Sequence, residues 1–378
     1  MTRDTLPGGI PRLRYERLDT ATSLTPDLKI GSIEGGQATV FGAVKGIEAD
    51  RLGNIYILDG QASEIRVFDP SGVYLRTIAS PGEGPGELTA ANGMILMGDS
   101  LLWVQDHGKW MMLALSTDGQ ERRRVPMVVR SYGYAWTGTV DERGRHWKPA
   151  SHSDVEPVFP PPEGLQTTTY RRFLKWYDPP SEATDSVDLG PMVVRTYVIS
   201  RGRGAAYWPI PHDPLAAVVV DPGGGFWRSD DLAYRLVRLS ESGDTTLVVE
   251  VGATQLRTTA VDRERFVEGV AGRRPESRRE AEQVADFIPE LRPWILGLGV
   301  DDRGRVWVDR VMNSETAHHY DVFERDGRLV GSVELDVGQF AYVPIRVRSG
   351  HLYSVVTDSL DVQYVVRVPL PQAFRTAS

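Results

Sequence analysis

The sequence predicts an all-β fold, a six-bladed β-propeller, and three observations support that prediction. An aromatic residue flanked by strand-forming residues returns six times along the 378-residue chain. A glycine stands three residues before the aromatic in five of the six copies, and an aspartate stands six residues before it in four. The intervals between the aromatics are 47, 44, 80, 80 and 46 residues, so a unit of about 45 residues repeats. Recurrence at this period, with four strands per unit, is typical of a propeller.

Each copy reads as a strand, a tight turn and a second strand. Glycine supplies the positive φ angle that tight hairpin turns require, and aspartate accepts hydrogen bonds from the turn backbone. A second turn glycine follows the aromatic by sixteen residues in three copies and by twenty in a fourth, which gives about four short strands per blade. We expect the repeated aromatics to be buried between neighbouring blades: Tyr56, Trp103, Trp147, Trp227, Trp307 and Tyr353.

The two intervals of 80 residues could each hide a degenerate blade, which would give eight blades. The first interval holds "SHSDVEPVFPPPEG" and "YWPIPHDP", which are too rich in proline for central strands. The second holds a predicted helix with a Ser277–Glu280 capping box and an apolar stripe. That stripe comprises Ala281, Val284, Ala285 and Ile288, and Pro289 ends the helix. We interpret both segments as insertions, so the predicted number of blades is six.

The chain ends predict how the ring closes. The last copy supplies three strands, and the segment "DLKIGSIEG" at residues 27–35 reads as a single strand before the first full copy. We expect it to be the outer strand of blade six, because this pairing would cover an open edge. The predicted organisation is an N-terminal extension (1–26), a propeller (27–371) with one helical insertion between blades four and five (257–292), and a C-terminal tail (372–378).

Composition restricts the possible functions. The net charge of −8 argues against a binder of duplex nucleic acid, whose affinity depends on neutralising phosphates. The absence of cysteine excludes disulfides, thiolate nucleophiles and cysteine-based metal sites. No apolar run approaches the length of a transmembrane helix, and the first residues lack the apolar centre of a signal peptide. Either the protein is cytoplasmic or a leader has been removed.

The repeats resemble NHL-type repeats, and "IASPGEGPGEL" at residues 78–88 resembles a stretch typical of bacterial six-bladed propeller proteins. Those proteins are largely exported or lipoprotein-like and mostly have no assigned activity. The resemblance therefore implies the propeller fold and a periplasmic or extracellular location after leader removal. Blade two departs from the pattern with "MGDSLLW", and blade three has a much expanded hairpin.

Candidate binding residues concentrate on one predicted face of the propeller. The loops between strands two and three share a face with the connections between blades, and both long insertions fall there; we call it the loop-rich face. Long, varied loops on a rigid scaffold are where binding normally occurs. Aspartates there also cap turns, which is the simpler interpretation. The candidates are Asp106, His107, Lys148, His152, Arg228, Asp230, Asp231, Asp309 and Arg310.

Two of these candidates are cations in unusual positions. Lys148 and Arg228 directly follow their repeated aromatics, where three other copies have Ile57, Val104 and Val308. A buried cation needs a partner because an isolated charge costs several kcal/mol. Both a structural salt bridge and an anion site are consistent with this pattern.

Three functions follow as hypotheses. The first is a monomeric, non-catalytic binding or scaffold propeller without a cofactor, whose loop-rich face takes a protein, peptide or glycan. The alternative is a Ca²⁺- or Zn²⁺-dependent lactonase or lyase, because similar six-bladed propellers hold such an ion in the central channel. Binding of single-stranded RNA is the third, and the acidic charge disfavours it. No helical metal-ligand motif is present, although channel ligands come from different blades and leave none.

Overall fold

The computed structural model describes residues 1–18, 20–127, 139–156, 158–202, 204–213, 217–229, 232–311, 317–337 and 343–375. Its strands form six sheets of four to six strands each and one two-stranded ribbon. The six larger sheets follow one another along the chain, and we number them as blades 1 to 6.

The first thirty residues contribute four short strands. Gly8 and Gly9, with φ angles of 86° and 79°, turn the chain between the first two strands. All four strands belong to the sheets of later blades rather than to blade 1. They are β1 (Thr2–Leu6), β2 (Ile10–Tyr15), β3 (Thr22–Leu24) and β4 (Leu28–Ile30).

Blades 1 and 2 are four-stranded antiparallel meanders. In the first turn of blade 1, the Asp50 carboxylate accepts hydrogen bonds from the N–H groups of Leu52 and Asn54, both at 2.9 Å. These bonds lie within the turn, so the local sequence is sufficient to form it. Blade 1 comprises β5 (Val44–Ala49), β6 (Ile55–Asp59), β7 (Glu64–Phe68) and β8 (Tyr74–Ala79). Blade 2 comprises β9 (Ala91–Met97), β10 (Leu101–Asp106), β11 (Met111–Ser116) and β12 (Glu121–Pro126).

Blade 3 has five strands, and two of them are unusually long. These strands have 14 and 18 residues, and residues 164–177 of the first pair with residues 184–198 of the second. The strands are β13 (Thr139–Val140), β14 (His146–His152), β15 (Gly164–Tyr177), β16 (Thr184–Arg201) and β17 (Gly204–Pro209). Blade 4 follows with β18 (Ala217–Val220), β19 (Phe226–Ser229), β20 (Arg235–Leu239) and β21 (Thr245–Val251).

A helical insertion separates blades 4 and 5. It begins and ends in the two-stranded ribbon and contains two helices, so its order is β22 (Leu256–Arg257), α1 (Ala260–Arg273), α2 (Arg278–Ala285) and β23 (Leu291–Arg292). Blade 5 comprises β24 (Ile295–Val300), β25 (Val306–Arg310), β26 (Ala317–Phe323) and β27 (Leu329–Asp336). Blade 6 comprises β28 (Arg346–Arg348), β29 (His351–Thr357) and β30 (Gln363–Pro369), and α3 (Gln372–Arg375) follows it.

Hydrophobic clusters join the blades into a ring. Five clusters each combine buried residues from two consecutive blades, from 1 and 2 through to 5 and 6. A sixth cluster joins blade 6 to blade 1 and includes Tyr353, Val355 and Ile57. Because the last blade packs on the first, the core is continuous around the ring. This is the arrangement of a β-propeller with six blades.

The N-terminal strands connect three blades. Strand β2 pairs in parallel with β21 of blade 4, and β1 extends that sheet to six strands. Strand β3 pairs in parallel with β27 of blade 5. Strand β4 pairs antiparallel with β30, where Ile30 lies opposite Val365, and so supplies the fourth strand of blade 6 at the position predicted for residues 27–35.

Two features of the repeat are confirmed. All six repeated aromatics are at most 4% exposed, and each belongs to a cluster between two neighbouring blades. The four repeat aspartates are also buried and accept hydrogen bonds from their turns. They are Asp50, Asp141, Asp221 and Asp301.

Other predicted details are wrong. Blades 3, 4 and 5 have five, six and five strands rather than four, because β17 and the N-terminal strands extend them. The insertion contains two helices, and the Ser277 side chain does not cap α2; the capping box instead joins Thr259 and Asp262 at the start of α1. Residues 1–26 are part of the propeller sheets. The tail is also attached, since Phe374 packs in the cluster between blades 5 and 6.

Candidate functional site

The two insertions of the chain contact each other. The Tyr197 ring on β16 stacks on the Phe287 ring, which follows α2, with centroids 5.1 Å apart. The Glu280 carboxylate on α2 accepts hydrogen bonds from Arg201 Nη2 at 2.6 Å and from Trp208 Nε1 at 3.2 Å. The helical insertion therefore leans against the extended part of blade 3, held by one stacked ring pair and one ionic contact.

The helical insertion also has a small core of its own. Ala281, Ala285 and Ile288, three of the four residues of the predicted apolar stripe, pack with Val267 of α1. The Arg263 guanidinium on α1 donates to the backbone carbonyl of Ile288 at 2.8 Å and to that of Ala285 at 2.5 Å. No residue of α1 or α2 belongs to the clusters that join the blades in the described part of the chain, so we expect the ring to fold without these helices.

A pocket of about 580 Å³ lies where the insertion, blade 3 and blade 4 meet. Its volume is in the range of small-molecule sites, and most of its wall is apolar. The charge of Arg195 is offset, since its guanidinium nitrogen Nε lies 3.0 Å from Asp213 Oδ1. The lining residues are Arg172, Pro191, Met192, Val193, Arg195, Asp213, Leu232, Pro289, Glu290 and Leu291.

Two arginines converge beside this pocket. Arg172 Nη2 on β15 donates to the Leu189 carbonyl oxygen at 3.2 Å, and Arg228 Nη1 on β19 donates to the same oxygen at 3.0 Å. Arg172 is 7% exposed and lines the pocket. The structure thus places the predicted cation Arg228 beside a second arginine from the neighbouring blade, and both donate to the Leu189 carbonyl oxygen.

Asp106 has a structural role in the turn, the simpler interpretation of the loop-rich aspartates. It is fully buried, and it accepts hydrogen bonds from the N–H groups of Thr89 at 2.9 Å, Ala90 at 3.0 Å and Gly108 at 3.0 Å. These bonds tie the connection before blade 2 to a turn within it. Asp59 makes the equivalent bonds in blade 1, to Gly42 and to later residues.

Asp309 and Arg310 lie together on blade 5 but face different neighbours. Asp309 Oδ2 is 3.4 Å from His318 Nδ1, and its Oδ1 is buried without a hydrogen-bond partner among the described residues. Arg310 Nε forms an ion pair at 3.1 Å with Asp321, which also accepts a hydrogen bond from Tyr234 at 2.8 Å. Burial raises the pKa of Asp321 and raises that of Tyr234 well above its usual range. These groups form a buried network between blades 4 and 5.

Lys148 lies between blades 2 and 3 and is 8% exposed. Its Nζ is 3.5 Å from Gln105 Oε1, and Gln105 Nε2 is 2.6 Å from His107 Nε2. Burial lowers the pKa of Lys148 from 10.5 to about 8, and burial together with the charge of Lys148 lowers the pKa of His107. Two predicted candidates, Lys148 and His107, are therefore neighbours.

The pKa of Lys148 predicts a pH dependence of stability. In the unfolded chain the Lys148 ammonium group keeps its proton up to about pH 10.5, whereas in the folded protein it keeps the proton only up to about pH 8. Between these values the unfolded state binds more protons, so stability from this group rises with pH. We expect Lys148→Met to stabilise the protein most at pH 7 and progressively less towards pH 10.5, measured by urea unfolding. Lys175→Met is the control, because Lys175 is the exposed cross-strand neighbour. A gain that is constant with pH would contradict the lowered pKa.

The remaining candidates are scattered. His152 is exposed and lies 3.2 Å from Asp154. Asp230 and Asp231 lie outside the described residues. In the described ranges, no group of three or more His, Asp or Glu side chains could hold a metal ion. The helices that the structure describes include none long and apolar enough to cross a membrane.

Sequence reasoning missed most of the pocket. Arg172, Arg195 and Asp213 lie in the interval interpreted as an insertion, outside the repeat alignment that selected Arg228. One signal was present: Arg172 stands in a strand-like run, "TTTYRRFLKWY", where alternation turns one of two adjacent arginines inward. Its partner on blade 4 could not be identified in this way.

One family model matches part of the chain and bears on its fold. Residues 36–137 match a family model, DUF5128, described as a 6-bladed beta-propeller. No curated protein sequence matches the chain significantly. The match to DUF5128 does not test the NHL designation of the repeats, which stays a prediction.

Solved structures with similar architecture are distant in sequence. A DUF4221 member from Bacteroides vulgatus ATCC 8482 is 10% identical, with a TM-score of 0.48 over 92% of this chain and 97% of that one. A protein of Bacteroides fragilis NCTC 9343 described as exported is 13% identical, with a TM-score of 0.46 over 96% and 100%. Virginiamycin B lyase from Staphylococcus aureus is 9% identical, with a TM-score of 0.43 over 91% and 99%. The family match and the six packed sheets together identify the chain as a β-propeller with six blades.

Proposed function

We propose that this propeller is a non-catalytic binding protein that takes an organic ligand into the pocket between blade 3 and the helical insertion. One observation supports this most directly: the pocket is built jointly by the two long insertions, with Val193 from one wall and Leu291 from the other. Segments added to a rigid ring and meeting around one cavity are typical of a binding site.

The lining indicates the kind of ligand. Six of the ten lining residues are apolar, and they come from β16, from the end of the insertion and from the connection between β19 and β20 in blade 4. A volume of about 580 Å³ suits a small organic molecule or a peptide segment of a few residues. A protein, peptide or glycan that binds the loop-rich face would also agree with this proposal if one of its groups enters the pocket.

The charged groups of the pocket favour binding over proton transfer. Asp213 is engaged by Arg195 in an ion pair, which occupies its carboxylate. The Glu290 side chain is 86% exposed and stands at the rim. A general acid or base would need to face the bound ligand with its proton available, and neither carboxylate is placed in that way.

Removal of the insertion tests the proposal. Replacing residues 258–290 with a short Gly/Ser turn keeps the ribbon of β22 and β23 but removes Pro289 and Glu290 from the pocket. We expect the ring to unfold cooperatively as before, because the helices have their own core. The neutral dye N-phenyl-1-naphthylamine should bind the intact protein saturably, with fluorescence enhancement, and should bind the variant at least about tenfold more weakly. Absent binding, or equal binding by both proteins, would refute the proposal.

We propose that the protein acts outside the cytoplasm, and the support for this is the resemblance of residues 78–88 to a stretch of exported bacterial propellers.

A further inference from the structure

We propose that the ligand of the pocket is a peptide in extended conformation, which adds a short strand to the open edge of β16. This inference rests on the proposed function, because it names the chemical class of ligand for the same pocket. Backbone hydrogen bonds to β16 would hold the peptide, and the apolar lining would contact its side chains. Strand addition of this kind needs a sheet edge whose backbone groups are available.

One stretch of β16 has a neighbouring strand on one side only. Residues 184–198 of β16 pair with β15, whereas β17 pairs with residues 196–201 on the other side. In the ranges that the structure describes, no other strand joins this sheet beside residues 184–195. Pro191 and Val193 lie in this stretch and are both exposed, Val193 to 56%. The edge of β16 is therefore open here.

The hydrogen-bond pattern indicates which backbone groups face the open edge. In an antiparallel sheet, successive residues direct their N–H and C=O groups alternately to one neighbouring strand and the other. The Ile210 N–H, directly after β17, donates to the Arg195 C=O at 3.4 Å, so Arg195 faces the β17 side. Val193 stands two residues earlier in a regular part of the pairing with β15, so it faces the same side. Its N–H and C=O thus point to the open edge, where neither has a partner among the described residues.

This open edge forms one wall of the pocket. Residues 191–193 and Arg195 line the cavity, and residues 289–291 at the end of the insertion form another wall. Strand residues rise about 3.3 Å each, so residues 191–195 offer about 13 Å of edge, enough for about four residues of a peptide. Leu232 adds apolar surface that a peptide side chain can contact.

The backbone groups of Val193 favour a peptide over other molecules of similar size. A peptide residue opposite Val193 presents one N–H and one C=O at the matching spacing, so two hydrogen bonds form together. Residues 289–291 bound the space beside the edge, so it fits one added strand and not the sheet of a second copy of this protein. Pro191 has no N–H, which limits pairing beyond it and keeps the added strand short.

The test uses a selected peptide as the probe. A random heptapeptide library displayed on phage is first depleted on the variant in which a Gly/Ser turn replaces residues 258–290, and is then selected on the intact protein. The peptide recovered most often is synthesised with a fluorescent label. We expect N-phenyl-1-naphthylamine to displace it, because both would occupy the pocket. Recovery of no peptide that the dye displaces would overturn the inference.

Val193→Pro removes the backbone donor at the open edge. Proline has no N–H and is tolerated in edge strands, so we expect the fold to persist. The labelled peptide should bind about threefold to tenfold more weakly, the effect of one lost hydrogen bond, whereas binding of the neutral dye should change by less than about twofold. Val193→Leu is the matched control, since it keeps the N–H and an apolar side chain, and it should bind the peptide within about twofold of the unaltered protein. Equal weakening by both substitutions would contradict the backbone contact.

N-methylation of the peptide is a second measurement, made on the unaltered protein, and it decides if Val193→Pro fails to fold. Only alternate N–H groups of a bound strand face β16. We expect methylation of these residues to weaken binding about threefold or more, and methylation of the residues between them to change it by less than about twofold. A uniform response along the peptide would overturn the inference.

The dye and the peptide separate the two proposals. If N-phenyl-1-naphthylamine binds and responds to loss of the insertion, but the peptide measurements fail, strand addition is refuted and the binding pocket stands. If the dye itself does not bind the intact protein, the proposed function is refuted.

Discussion

Deletion of residues 1–30 should abolish cooperative folding. The segment supplies strands to blades 4, 5 and 6, and it covers the edges of β21, β27 and β30. It also buries four apolar side chains, each contributing about 1.5–3 kcal/mol. Their sum is comparable to the whole stability of a typical domain. The four side chains are those of Leu13, Tyr15, Leu24 and Ile30.

Hydrogen bonds add to this loss. The Tyr15 hydroxyl donates to the Gly327 carbonyl at 2.9 Å and accepts from the Leu329 N–H at 2.8 Å, which joins blade 4 to blade 5. Without the segment, three strand edges would be exposed at once, and open edges promote aggregation.

The measurement is solubility together with the thermal unfolding midpoint. A shorter deletion, of residues 2–6, is the control because it removes only β1, the mostly exposed outermost strand of blade 4. We expect the control to remain soluble with a cooperative transition. An unchanged midpoint in the longer deletion would show that the N-terminal strands do not stabilise the ring.

Trp307→Ala should lower the free energy of unfolding by about 3–5 kcal/mol, the range for a large buried aromatic. Trp307 is 1% exposed and lies in the cluster between blades 5 and 6. Its ring centroid is 5.9 Å from that of Tyr320 and 6.0 Å from that of Phe374. The substitution therefore leaves a cavity between two blades and removes contacts with the C-terminal helix.

A lost hydrogen bond contributes as well. Trp307 Nε1 donates to Asp301 Oδ2 at 3.1 Å, and the same oxygen accepts a bond from Arg305 Nε at 2.7 Å. Urea unfolding measures the change, with Tyr207→Ala as the control, since Tyr207 is 61% exposed. We expect the control to change stability by less than about 0.5 kcal/mol. A loss below about 1 kcal/mol for Trp307→Ala would contradict the structural role of the repeated aromatics.

The sequence by itself determined the repeated unit. Asp50 and Gly53 form their turn through bonds between residues two to four positions apart, so the pattern and the structure lie in the same few residues. Alternation then placed the aromatics on the buried side of each strand. The six blades, the burial of Trp307 and the pairing of residues 28–30 with the last blade were predictable for this reason.

The tertiary structure alone decided where the other N-terminal strands pair. Strand β2 joins β21 in parallel, with Arg12 opposite Val248, and no local pattern specifies a partner so far along the chain. The choice depends on which sheet edges remain open after the blades have formed.

Local sequence patterns were also insufficient to predict the contacts of the candidate site residues. Asp106 is the last residue of β10 in blade 2, and Asp309 is the second-to-last residue of the equivalent strand β25 in blade 5. Asp106 accepts hydrogen bonds from several backbone N–H groups, whereas Asp309 has a buried oxygen without a partner among the described residues. Likewise, Arg228 was a candidate from its repeat position, but its meeting with Arg172 depends on the packing of blade 3 against blade 4. The geometry of a turn depends on a few consecutive residues, whereas burial and charge pairing depend on neighbours that are distant in the sequence. The residues of the pocket therefore come together only in the assembled ring.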